Sequence, residues 1–289
     1  AATSEGIFVY YGNANPGVDE STVGKLVQIS ASVSEFRNQT QLSAITDFVV
    51  RGAAALPDPV RIALPVSDMG QWERLEGMRV EVASATAGGK LVVSDNRTLG
   101  RYGNVTLSAD TPLAQYTEVN APSVAGYAAY VQTLQRSQII LDDRSGAQNP
   151  EFVPGRGGLP LSASNTLRAG DGVDRVIGVL DQFFDAAASE PYLTSYRVQP
   201  TQTPQFTGAA RPSAAELQQA VGAATLKIAS ANVLNFFNLT GATSGSSQVM
   251  FNTPLGNQQG IRGANSIAEL NRQRAKIVAN LLGLGADVY

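Results

Sequence analysis

Apolar and polar side chains alternate along most of the first two thirds of the chain. Between Gly24 and Phe36, Val27, Ile29, Ala31 and Val33 alternate with Gln28, Ser30, Ser32 and Ser34, the period-2 pattern of a strand with one face in a core. Further short strands are expected over residues 7–10, 47–50, 78–82, 90–93, 104–107, 138–141, 175–180 and 196–198, separated by Gly, Pro, Asn and Asp. Helix is scarce in this stretch. Ser67 to Glu76 is expected as one short helix, capped by Ser67 or Asp68 and ended by Gly77, with Trp72 and Leu75 plugging the end of a barrel.

Short strands with a Gly kink at Gly178 fit five-stranded OB-type barrels. A weak internal echo, Gly24–Glu35 against Gly170–Asp181, suggests two similar ones. The expected organisation is an OB-like barrel over 1–84, a second OB-like β domain over 85–203, a linker over 204–224, and a different pattern from 225 onward. The linker carries Pro204, Pro212 and few large apolar residues. Behind it, 226–234 reads as a strand and 238–265 as a Gly/Ser/Asn-rich loop. Ser266 and Glu269 read as a capping box, opening a helix that puts Ile267, Leu270, Ile277, Val278 and Leu281 on one side and ends at Gly283. A last strand begins at Ala286. One strand–helix–strand unit cannot bury both faces of a sheet, so this part is expected to be incomplete.

Composition narrows the chemistry. The chain has 289 residues, 43% of them hydrophobic and 16% charged, with a net charge of -3, so binding to nucleic acid must be local. With no Cys and no His, zinc fingers, Ser-His-Asp triads and imidazole bases are excluded. No apolar run approaches the ~20 residues that span a bilayer. Low charge, abundant small polar residues and no Cys point to a secreted, extracellular or cell-surface bacterial protein. The start at Ala1, with no signal-peptide pattern after it, reads as a processed end.

Several stretches, taken together, resemble a known arrangement. They are Ser4–Tyr10, Glu76–Val80, Asn96–Gly103, Ile140–Asp143, Lys227–Phe237 and Arg272–Val278. The chain resembles secreted bacterial nucleases of the endonuclease/exonuclease/phosphatase superfamily preceded by OB-like modules. The resemblance implies a mostly β chain: tandem OB-like small barrels, then the first strand–helix–strand of an incomplete α/β nuclease domain of four-layer sandwich type. It implies that Asn232, at the end of the first catalytic strand, helps arrange a divalent metal, Mg or Ca, and the scissile phosphate. The family's metal-binding Glu and its later Asp, Asn and His residues have no counterpart here. The 289 residues are therefore expected to be the amino-terminal portion of a nuclease, inactive alone, whose partners are extracellular DNA or RNA and the remainder of its own catalytic domain. Ala231 and Asn265 depart from the family pattern.

Arg97, Arg101 and Tyr102, in the loop Arg97–Gly103, are candidates for contact with a single strand, because guanidinium and aromatic faces suit phosphate and base. A solvated hairpin is the simpler alternative. Asp142-Asp143 and Asp95-Asn96 offer oxygens for Ca²⁺ but lack calcium-loop spacing, which favours turn-forming roles. No metal ligand is assigned within the chain. The rival to the nuclease reading is a β-rich cell-surface or matrix module that self-associates through exposed strand edges and performs no catalysis.

Overall fold

The computed structural model describes residues 4–36, 39–146, 150, 154–162, 164–183, 195–233, 236, 250–252, 258–260 and 267–289. The chain divides into two units, Ala1–Ala210 and Arg211–Tyr289. The first contains, in order, β1 (Phe8–Val9), β2 (Lys25–Phe36), β3 (Gln39–Ala53), β4 (Val60–Leu64), α1 (Gly70–Glu73), β5 (Arg79–Ser84), β6 (Leu91–Asp95), α2 (Leu99–Tyr102), β7 (Val105–Ala109), α3 (Tyr116–Val119), α4 (Val124–Ser137), β8 (Gln138–Leu141), β9 (Gly172–Val173), β10 (Arg175–Phe183) and β11 (Ser195–Pro200). The second contains α5 (Ala214–Val221), β12 (Met250–Asn252), β13 (Gln258–Gly260) and α6 (Ile267–Leu284). The protein is mostly β, as the alternation predicts.

Eight strands form one mixed sheet in the order β4-β5-β10-β11-β8-β7-β6-β9. β4 with β5 and β11 with β8 run parallel, and the other pairs are antiparallel. β9 lies on the edge beside β6, yet only Asp174 separates it from β10 in the sheet interior, so the sheet curls back on itself. Its concave face holds the core. Alternate positions point inward: Val80 and Val82 on β5, Leu91 and Val93 on β6, Val105 and Leu107 on β7, Ile139 and Leu141 on β8. Each is at most 4% exposed. Trp72 on α1 packs into this core, 1% exposed and stacked on Tyr196 at 5.8 Å, so it seals the eight-stranded sheet and not a first barrel over 1–84 as expected. Gly178 is required where β10 passes β11, because a Cβ there would overlap the Gln199 carbonyl oxygen.

The expected boundary at 84/85 falls inside this sheet. β5 ends at Ser84 but pairs with β10, from Arg175↔Ala83 to Val179↔Arg79. Residues 1–84 therefore do not close a barrel of their own. β2 and β3 form a long hairpin joined by β1 into a separate three-stranded sheet, and no apolar side chain of that sheet is buried. The alternation in β2 predicts the strand correctly, but on its apolar face Val27, Ile29 and Ala31 are only half-buried and Val33 is exposed. The echo between 24–35 and 170–181 has no structural counterpart, since β2 pairs only with β3 while β10 lies between β5 and β11.

The expected linker is ordered in both halves. Phe206 joins the core, Thr207 exchanges backbone hydrogen bonds with Gly172, and the Ala209 N–H donates to buried Asp171. The Arg156 guanidinium grips the same carboxylate with two bonds of 2.8 and 3.0 Å. Ser213 then caps α5 in a capping box with Glu216. In the second unit the expected strand over 226–234, whose last residue lies outside the described ones, is represented over 226–233 by one parallel bridge, Ile228↔Val288, with Ala229 donating to the Val288 carbonyl at 2.9 Å. In the chain, β12, β13 and α6 all lie between the two bridge partners. α6 runs to Leu284, past Gly283, and Gly285 with φ +57° follows it as the left-handed cap. Ser266 and Asn265 lie outside the described residues, as do Arg262 and Gly263. The expected 238–265 loop carries an antiparallel pair, β12 with β13.

Candidate functional site

A cleft of about 940 Å³ in the first unit opens between the end of β6 and the α3–α4 region. That volume is at the upper end of small-molecule sites. One wall is the sheet, with Ser94, Asp95 and Thr106; another is the segment from Leu113 to Thr117; the third is α4. Ser123 starts α4 by accepting the Gly126 N–H at 3.1 Å. Tyr127, Tyr130, Val131 and Leu134 then recur at i, i+3, i+4 and i+7, which sets the tyrosines on one side of the helix. The Tyr130 hydroxyl donates to the Ala114 carbonyl at 2.6 Å and ties the helix to the 113–117 segment. Tyr116 from α3 completes an aromatic cluster, its ring 5.6 Å from Tyr130 and 6.0 Å from Tyr127, edge-on to the latter at 78°. A Cβ at position 126 would overlap the Tyr116 hydroxyl, so the Tyr116 side chain packs directly against Gly126.

The polar side of the cleft is electrically balanced. Asp95 and Arg97 are the only charged side chains among the described residues that line it, and they pair with each other at 2.7 to 3.1 Å. Burial would raise the Asp95 carboxyl, but hydrogen bonds from the Arg97 guanidinium and backbone N–H outweigh it and hold the group below the usual carboxylate range. The Asn96 amide donates to the Leu167 carbonyl at 2.8 Å, which fixes its orientation. Gln115 and Gln138 add amide groups.

Of the residues singled out in the sequence, Arg97 lies in the cleft wall, while Arg101 and Tyr102 on α2 do not line it. Arg101 packs over Tyr102, 5.1 Å from the ring centre. The three cleft tyrosines were missed; their signal is the i, i+3 spacing of Tyr127 and Tyr130 behind a Ser cap. Asn232 belongs to the second unit, is exposed, and sits four residues past the Ile228 bridge.

The acidic residues weighed as calcium ligands are engaged otherwise. Asp142, 5% exposed, accepts from Arg197 at 3.1 Å and from the Arg144 N–H at 3.1 Å. The other side of Arg197 holds Asp181 at 2.7 to 2.8 Å, and Gln39 from the hairpin donates to Asp181 at 2.5 Å. Burial pushes the Asp142 carboxyl up, with Arg197 opposing. Asp143 accepts the Ser145 N–H, and Asp95 belongs to Arg97. Nearby, Glu76 is pushed up to about 7 by burial and then by Glu73, and its Oε1 is buried without a hydrogen-bond partner. Among the described residues no group of three or more His, Cys, Asp or Glu could hold a metal ion. Asn232 contributes one neutral oxygen, so the described residues do not by themselves fit a divalent cation, and no chemical step is derived through one. No helix among them is long and apolar enough to cross a membrane.

Comparison with protein-family models, with curated proteins and with solved structures returns no match for this chain.

Proposed function

We propose that the chain is the amino-terminal portion of a secreted, metal-dependent nuclease that hydrolyses phosphodiester bonds of extracellular DNA or RNA. In it, the first unit orients substrate and the second contributes the opening strand, helix and strand of the catalytic domain. Supporting the second role is the parallel bridge of Ile228 with Val288, with α6 among the elements between them, and Asn232 just beyond the bridge where α/β sites gather. Supporting the first is the cleft on a curled sheet. β6, β7, β8, β11 and the β9–β10 run, counted as one strand, make five, the number in an OB-type barrel. The resemblance of the stretches quoted above supplies the reaction class.

Expressing the reading frame with its carboxyl-terminal continuation past Tyr289 tests this. Cleavage of nucleic acid that requires Mg²⁺ or Ca²⁺ is expected, and Asn232→Ala is expected to lower kcat by about 100-fold, the usual loss for one transition-state hydrogen bond. An extended protein without phosphodiesterase activity would overturn the proposal.

A further inference from the structure

The geometry points to the cleft between α4 and the end of the β6–β7 pair as a site for the unpaired bases of a single-stranded nucleic acid, held by ring stacking and amide hydrogen bonds and not through phosphate. The inference rests on the nuclease proposal and specifies which part of its substrate the first unit grasps.

Three observations carry it. The aromatic wall is fixed before any ligand arrives: Tyr130 is tethered to Ala114, Tyr116 is seated against Gly126, and Tyr127 remains 56% exposed with its ring at the rim. A rigid aromatic surface loses little entropy on stacking. The same cleft is lined by Gln115, Gln138 and Thr106, whose groups hydrogen-bond base edges in either donor or acceptor sense. Third, the described residues that line the cleft carry no free positive charge. Their single guanidinium, Arg97, already spends its Nε and one terminal nitrogen on Asp95. A phosphate would meet the Asp95 carboxylate beside that guanidinium, whereas a neutral base meets no like charge. Duplex DNA presents its phosphates outward and buries its base faces, so it does not fit such a site. Splayed single strands do.

Fluorescence anisotropy with the 289-residue chain in EDTA tests this, using an oligothymidylate of about 12 nucleotides, an abasic strand of the same length and a duplex. The thymidylate is expected to bind at least about fivefold more tightly than the abasic strand, since one stacked base is worth that much. Tyr127→Ala is expected to erase that preference and Tyr127→Phe to keep it, with thermal melts showing both variants folded. The tyrosine-dependent part of the affinity is expected to be flat with salt, where each phosphate contact would add about -0.7 to the log–log slope. Equal binding of the abasic strand, or a preference that survives Tyr127→Ala, overturns the base cleft and leaves the nuclease proposal standing. Binding to none of the three probes, or retention on a polysaccharide matrix instead, overturns the cleft's assignment, while phosphodiesterase activity of the extended protein independently decides the larger proposal.

Discussion

The curled sheet and the strand–helix–strand of the second unit draw on the same apolar residue types and handle them differently. Every buried hydrophobic side chain among the described residues lies between Ile62 and Phe206. In the second unit Ile228 is 73% and Leu282 74% exposed, although α6 is the longest helix among the described residues. Local pattern and capping are enough to specify a helix, but burial needs a surface to close over it. A sheet that curls supplies that surface to itself. A strand–helix–strand by itself does not, so substitutions should separate the two regions by energy.

The largest effect is expected at Trp72. Trp72→Ala should cost about 3 to 5 kcal/mol in urea unfolding, because the ring fills the end of the core. Equal stability of the variant would show that the sheet's core does not extend to α1. Next comes Arg197, whose guanidinium alone joins buried Asp142 to Asp181. Arg197→Met leaves two carboxylates facing each other and should cost about 3 kcal/mol, recovered in large part when Asp142→Asn and Asp181→Asn are added. Failure of the triple variant to recover would assign Arg197 a role in packing instead. Gly178→Ala forces β10 away from β11 and should cost about 1 to 3 kcal/mol.

Glu76 gives a pH-dependent test. Its carboxyl in the folded protein titrates near 7, above its ordinary 4.5. The unfolded chain therefore releases this proton at lower pH than the folded one. The Glu76 contribution is intact below about pH 4.5 and is lost as pH rises through 7. The groups opposing its charge are Glu73, Asp181 and Glu35, with Gln39 donating in its favour. Glu76→Gln should flatten the melting temperature between pH 5 and 8 and raise stability at pH 8 by about 1 to 2 kcal/mol, allowing for solvent screening. An unchanged pH profile would place the titration elsewhere. The smallest effect is expected at the exposed face of α6: Leu282→Ala should change stability by less than about 0.5 kcal/mol. A cost of about 2 kcal/mol there would erase the contrast between the two regions.

The sequence makes individual strands legible because period-2 alternation is a local property. β2, β5, β6, β7, β8 and β10 all lie where it puts them. What it hides is pairing. Nothing near Arg79–Ser84 says that the partner is Arg175–Phe183, nearly a hundred residues away, and the boundary drawn at 84/85 fails for that reason. β4 is concealed by the prolines around it, Pro57, Pro59 and Pro65, which read as loop although they flank the strand without interrupting it. α4 is concealed by its alanines and glycine, which dilute the helical period of Tyr127, Tyr130, Val131 and Leu134. The cleft inherits both difficulties. Arg97 is visible as a charged loop residue, whereas its pairing with Asp95 and the meeting of Tyr116 with Tyr127 and Tyr130 depend on how α3 and α4 return to β6.

The central claim is that these 289 residues handle nucleic acid without cutting it. Incubating the chain with end-labelled single-stranded and duplex DNA and RNA, in Mg²⁺ and separately in Ca²⁺, and following binding and cleavage in the same samples tests it most directly. The account predicts bound single strands that remain full length. Sustained turnover by the chain alone would contradict it.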